Sequence, residues 1–346
     1  MKIGISLPML NQAFGKCAEL AALADRAGFD SVWNYEFYRN PFTVHAVNAS
    51  VTEQIRLGTG IASIVSRTPF EMANAAADVD ELSSGRMILG IAPGGVGWTD
   101  VMNGADASHP APRLREYMEI MRLVWQYYTD GLPVEYEGRF YRFASPILNP
   151  VGPRAQLARP RIPIYVGALQ PAMLRMTGRY ADGQISYLTT PEFARQHIRP
   201  HLAAGAEKAG RDVSDVEVTA LVLCSVSNDR DEAIRRARIN VGTYASAPFA
   251  SPIVDFMGMQ EEREWLYARL LAGGFEALPK AAPDTLVKTF AIVGTPEEAI
   301  EQLEAYRGAV DHLVLHTPYV PPIDTAASED AFRAIVSAFS REKVSR

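Results

Sequence analysis

A chain of 346 residues, 48% apolar and 21% charged, has ordinary globular composition and can bury a large core. Its net charge of −6 leaves no electrostatic footprint for nucleic acid, and no stretch is long and apolar enough to cross a membrane. The two cysteines, Cys17 and Cys224, form no CxxC pair and read as buried small apolar residues rather than a disulfide or a metal site.

In chain order, Ile3–Leu7 is the first strand, entered without a signal-peptide pattern, so the sequence predicts a soluble cytoplasmic protein. Residues 11–26 carry apolar side chains at helical spacing, and Gly28 ends that helix before a strand at Ser31-Val32-Trp33. Arg56–Thr59 is a third strand. Thr68-Pro69-Phe70-Glu71 opens a helix, with Thr68 as N-cap, Pro69 at the first helical position and Glu71 closing a capping box. Met87–Ile91 is the fourth strand, and 113–128 the clearest amphipathic helix. Val134–Phe143 alternates around Glu137-Gly138 as a hairpin does, and a proline-rich loop follows. Strands then recur at Pro163–Val166, Gly183–Ile185, Glu217–Val226 and His312–His316, with helical patterns between them. Thr295-Pro296-Glu297-Glu298 is a second capping box, and 329–340 the closing helix.

Eight strand–helix units in series imply a parallel sheet, because each helix serves as a crossover. Eight such units close a (β/α)8 TIM barrel of the α/β class, here one domain over 1–346 with insertions after strands 4 and 7. An open doubly wound sheet is the alternative, but no glycine fingerprint follows the first strand. A barrel enzyme places its site where strands end, which selects Leu7-Pro8, Trp33–Asn40, Gly60–Ile64, Ala92–Trp98, Gly167–Pro171 and Ser186–Thr190. No HExxH, GxSxG or Walker pattern supports metal or serine-hydrolase chemistry.

At these strand ends the chain resembles the luciferase-like superfamily, and within it the branch that depends on the deazaflavin coenzyme F420. The carriers are Ala27–Trp33, Ile55–Ile61, Arg67-Thr68-Pro69, Leu82–Gly90, Pro163–Ala168, Ala181-Asp182-Gly183 and Phe290–Glu298, whose order and spacing count more than any one of them. The stretch from Gly167 to Gly183 and the long C-terminal tail look like an actinobacterial F420 subgroup. The resemblance implies a β-bulge with a non-proline cis peptide at Gly60-Ile61, beside Ala62, backing the deazaflavin ring. It implies that Gly167, Ala168, Leu169 and Gln170, just before a helix, hold the cofactor phosphate, as uncapped amides at a helix start suit an anion. Relatives often have two glycines where Leu169 and Gln170 stand. Pro93, Gly94 and Gly95 would let backbone lie flat against the ring, with Tyr187 also at the cofactor and Trp98 and Phe37 at the substrate. Many relatives have an acidic residue followed by histidine where Glu36-Phe37 stands, and several a carboxylate at Gly95, so two usual proton donors are missing here.

That leaves Glu36 as the first candidate for both cofactor contact and proton transfer, with His316, Tyr35 or water behind it. Arg154, Arg159, Arg161, Lys280 and Lys288 could meet an acidic cofactor tail or simply be solvated. The expectation is an F420-dependent oxidoreductase that moves a hydride to or from a small organic substrate and works as a homodimer. An FMN-dependent monooxygenase on the same barrel and a flavin-binding barrel without turnover are the two alternatives.

Overall fold

The computed structural model describes residues 1–9, 12–94, 99–146, 157–274, 277 and 282–344. Its barrel strands are β1 Lys2–Ser6, β2 Ser31–Asn34, β3 Arg56–Thr59, β4 Met87–Ala92, β5 Ile164–Gly167, β6 Gly183–Tyr187, β7 Glu217–Val226 and β8 His312–His316. Each runs parallel to its neighbours. Strand β8 pairs with β1 and β7, and β7 pairs back to β6, so the ring closes. The eight strands are those the sequence predicts, to within two residues at either end. Helices pack around the ring, and among the described residues none is long and apolar enough to cross a membrane.

The insertion after β4 carries helix Pro110–Asp130 and a hairpin in which Glu135–Glu137 pairs with Arg142–Ala144. Glu116, buried on that helix, accepts hydrogen bonds from the backbone N–H groups of Arg139 (3.0 Å), Phe140 (2.8 Å) and Tyr141 (3.2 Å) and so fastens the hairpin turn to the barrel wall. The insertion after β7 holds helices Arg230–Ser246 and Gln260–Gly273 and, unexpectedly, a strand at Ala291–Gly294 parallel to the outer end of β7. A run of apolar residues that short has no periodicity to separate strand from buried helix, and only pairing decides it.

The two capping boxes differ. Thr295 accepts from Glu298 N–H while the Glu298 carboxylate accepts from Thr295 N–H, so that box is complete. Thr68 accepts from Glu71 N–H, but the Glu71 carboxylate lies 3.5 Å from Arg67 Nε, so the first box is one-sided.

The barrel interior is filled by Trp33, Ile88, Tyr165, Ile185, Leu221 and Val314. Glycine makes room for the largest of them: a Cβ on Gly58 would stand 2.5 Å from the Trp33 ring. The indole N–H donates to Ser31 Oγ (2.7 Å), and Ser31 Oγ lies 2.7 Å from His312 Nε2. Because the Glu217 carboxylate can only accept, His312 donates to it from Nδ1–H (2.9 Å), which leaves Nε2 to accept the Ser31 hydroxyl proton. Burial would push the Glu217 carboxyl up, but hydrogen bonds from His312 and Lys2 outweigh it and bring it to about 2.

His45, His312 and His316 are all buried, and desolvation lowers all three, His45 to about 4 and His316 to about 3. His45 donates from Nε2 to the Gly58 carbonyl (2.9 Å) as a neutral ring. The unfolded chain binds protons that these rings refuse, so their contribution is complete above the ordinary histidine range and is lost as pH falls towards the folded values. Between about pH 7 and about pH 5 the urea midpoint should fall, with His45 alone accounting for about 2 kcal/mol. His45→Gln should flatten that slope; an unchanged slope would mean that His45 takes up its proton alike in the folded and unfolded states.

Candidate active site

Strand β3 ends in a register shift. Gly58 pairs with Ile88 and Ala62 with Ile91, so four steps along one strand face three along the other, and β3 carries one extra residue. Thr59 Oγ1 bridges the gap, donating to the Gly90 carbonyl (2.8 Å) and accepting from Gly90 N–H (2.9 Å). The extra residue falls at Gly60-Ile61, where the peptide bond is cis. Both residues are half-buried at the barrel mouth, whereas Ala62 behind them is fully buried.

Glu36 follows β2 and brackets this bulge. Its backbone N–H donates to the Ile61 carbonyl (3.1 Å). Its carboxylate accepts from Ser63 N–H (2.8 Å), Ser66 Oγ (3.0 Å) and Arg67 Nη1, which reaches both oxygens at 2.9 and 2.7 Å. The Glu36 and Arg67 side chains are only 15% and 9% exposed. This is a carboxylate acting as acceptor on every side, and nothing in the sequence marks Arg67 or Ser66 as its partners. Phe37 is exposed at the rim, its ring 4.1 Å from that of Tyr38.

Next around the mouth, Ala92, Pro93 and Gly94 are half-buried at the end of β4; Gly95 and Trp98 lie outside the described residues. At the end of β5, a Cβ on Gly167 would stand 2.8 Å from Ala92 Cβ, so glycine there is required by the close approach of β4. The carbonyls of the following loop are tied inward: Gln184 Nε2 donates to Ala168 O (2.8 Å), and His197 Nε2 lies 3.0 Å from Leu169 O. His197 reaches it from a π-helical turn, Ala194–Ile198, and its ring stacks on Phe193. Helix Pro171–Tyr180 starts directly afterwards, and Gln170 gives it no side-chain cap, so its first amides face outward with the helix dipole behind them. Neither Gln184 nor His197 stood out in the sequence, since each acts through a backbone carbonyl remote in the chain.

The other half of the mouth is aromatic. Tyr187, at the end of β6, has its ring 4.3 Å from Tyr244 and 4.9 Å from His316; Leu188 after it takes φ +58 to turn the chain. Tyr35 lies 4.9 Å from Tyr319. His316 is boxed edge-on by these rings and hydrogen-bonds to Ser6 Oγ. Of these, Tyr35, Tyr187 and His316 were sequence candidates; Tyr244 and Tyr319 were not, because nothing in the sequence joins an insertion helix to the loop after β8.

The basic candidates lie elsewhere. Arg159 pairs with Asp80 (2.7 Å) and bonds the Met87 carbonyl, and Arg161 pairs with Asp182, both where strands begin rather than end. Lys288 is exposed on helix Asp284–Phe290, and Arg154 and Lys280 lie outside the described residues.

A family model described as luciferase-like monooxygenase matches residues 1–313. The chain belongs to that family. Among luciferase-like relatives it is 30% identical to a 5,10-methylenetetrahydromethanopterin reductase of Archaeoglobus fulgidus, over 93% of this chain and 95% of the other. It superposes on the coenzyme F420 dependent tetrahydromethanopterin reductase of Methanopyrus kandleri with a TM-score of 0.81 and 26% identity, over 97% of each chain. The FMN-bound oxygenating constituent of 3,6-diketocamphane monooxygenase from Pseudomonas putida shares the luciferase-like fold at a TM-score of 0.70 and 20% identity, over 100% of this chain and 98% of the other.

The Glu36–Arg67 pair generates a stability prediction. A double-mutant cycle with Glu36→Gln and Arg67→Met should give a coupling energy of about 1–3 kcal/mol in urea unfolding, because either single change leaves a buried partner unsatisfied. Additive effects would mean that the two side chains stabilise the bulge independently.

Proposed function

We propose that this chain is a coenzyme F420-dependent oxidoreductase that transfers a hydride between the deazaflavin and a small organic substrate. The observation that carries the reading is the full-length likeness to the Methanopyrus kandleri F420-dependent reductase, at a TM-score of 0.81 over 97% of both chains. The mouth supports it chemically. The bulge and the ends of β4 and β5 present glycine, alanine and proline backbone, against which a planar ring can lie. The inward-tied carbonyls of Ala168 and Leu169 leave the uncapped helix start at Gln170 to receive the phosphate.

Bound deazaflavin would supply or accept the hydride; the protein would supply orientation, an anion site and a proton route. In this reading Gly60 and Ile61 back the ring, with Ala62 anchoring them to β4, and Tyr187 closes its edge. Pro93 and Gly94, and with them Gly95, lie along its face. Phe37 borders the substrate side, as Trp98 is also proposed to do. Glu36 enters as a positioning residue, since its oxygens already accept from Ser63, Ser66 and Arg67 and hold the segment that supports the ring.

A second reading, an FMN-dependent monooxygenase, draws on the fold shared with the FMN-bound Pseudomonas putida protein. Calorimetric titration separates the two. We expect F420 to bind at least about tenfold more tightly than FMN, and equal or tighter FMN binding would favour the monooxygenase. Gly167→Leu should weaken the cofactor by about tenfold or more, because the side chain would force β5 away from Ala92 and shift the anion loop. Unchanged affinity in that variant would place the phosphate elsewhere.

A further inference from the structure

The aromatic half of the mouth is held together by contacts between an insertion helix and the loop after β8. Helix Arg230–Ser246 places Asn240 and Tyr244 one turn apart, on one face. Asn240 is fully buried, and its Oδ1 accepts from the backbone N–H groups of Tyr319 (3.3 Å) and Val320 (3.1 Å). The Tyr244 and Tyr319 hydroxyls bond to each other. The helix thus grips the loop after β8 twice, once through its backbone and once through its tyrosine, and fixes the two hydroxyls side by side.

Two hydroxyls bonded to each other use one proton between them and keep one to donate. Tyr244 and Tyr319 are half-buried, and Tyr319 lies against Tyr35, the residue before the Glu36 that brackets the bulge. Tyr244 also meets Tyr187 and Tyr319 meets His316, which end β6 and β8, so the pair lies at the strand-end rim beside β2, β6 and β8. Burial pushes both phenols above the ordinary tyrosine range, so both keep their protons. Among the described residues, the groups that act on the phenols of Tyr187, Tyr244 and Tyr319 are other phenols and the Asn240 amide, none of them charged. Desolvation keeps His316 neutral, and among the described residues no guanidinium lies over the rings of Tyr187, Tyr244, His316 or Tyr319. An anion seated there would lose its hydration without gaining a countercharge.

We infer that the Tyr244–Tyr319 hydroxyl pair is the hydrogen-bond donor to the substrate, and that the site selects an uncharged acceptor group, a carbonyl or imine, over a carboxylate or phosphate. The inference rests on the proposed hydride-transfer reading only in calling the occupant a substrate. The pair itself is present without any cofactor, and so is its test.

Cofactor-free protein with ring-labelled tyrosine is titrated by NMR with cyclohexanone, a neutral carbonyl probe, and with cyclohexanecarboxylate, its anionic counterpart. Tyr244→Phe and Tyr319→Phe assign the two signals and serve as variants. The expected result is that the ketone shifts both signals, that the carboxylate shifts neither, and that the double variant Tyr244→Phe/Tyr319→Phe, which alone removes the donated proton, binds the ketone roughly fivefold more weakly, as loss of one hydrogen bond predicts. A site that binds the carboxylate equally well, that ignores the ketone, or that binds it unchanged in the double variant overturns the inference. F420 affinity measured on the same samples by fluorescence should change less than about twofold in either variant. Failure of the wild-type protein to bind F420 would sink the cofactor reading and leave the ketone result to stand or fall by itself.

Discussion

An indole N–H in the middle of a closed barrel has no water to turn to, and left unbonded it would cost the full desolvation penalty. Trp33 meets this through a line of buried donors and acceptors that runs down to the strand beginnings: Ser31, His312, Glu217 and finally Lys2 at the surface. The line fixes the ring, and the ring dictates the strand beside it. Strand β3 passes as glycine at Gly58, and Gly60, whose Cβ would come within 3.4 Å of the same ring, lies where β3 takes its extra residue. The bulge at the mouth is thus the upper end of a chain of contacts that begins at the floor.

From that bulge the mouth divides into two chemistries. One side, built by β3, β4 and β5, is bare backbone whose polar groups are committed inward by Thr59, Gln184 and His197. The other side, built by β2, β6, β8 and the insertion helix, is phenol and imidazole. A flat surface beside a set of fixed hydroxyls suits a site in which one partner is planar and always the same while the other is small and recognised by its polar atom.

The barrel was legible because its signals are local. Short apolar runs, helical periodicity, Thr-Pro openings and glycine stops each follow from a few adjacent residues, and eight repetitions leave little freedom in topology. Gly60-Ile61 was legible only through resemblance; no periodicity distinguishes Gly60 from any other strand-end glycine. The partners of Glu36 were not legible, because an acidic residue at a strand end looks the same whether it meets solvent or an arginine 31 residues away. The basic residues were ambiguous for the same reason: Arg159 and Arg161 could meet an acidic tail or be solvated, and only the fold shows them paired with Asp80 and Asp182 where strands begin. Tyr244 and Tyr319 are 75 residues apart, and only the fold of the insertion makes them neighbours.

Strand β7 is ten residues long, twice the length of β8 beside it. Residues Glu217–Leu223 pair within the ring; the last three, Cys224–Val226, run past it and, with Leu223, pair with Ala291–Gly294. The helix that carries Asn240 and Tyr244 hangs from this overhang, in a segment bounded at both ends by the same small piece of sheet. The chain between these two strands therefore leaves and returns at one edge of the barrel, apart from the tryptophan and the bulge. The helix proposed to meet the substrate is thus mounted outside the ring, and the backbone proposed to hold the coenzyme is part of the ring itself.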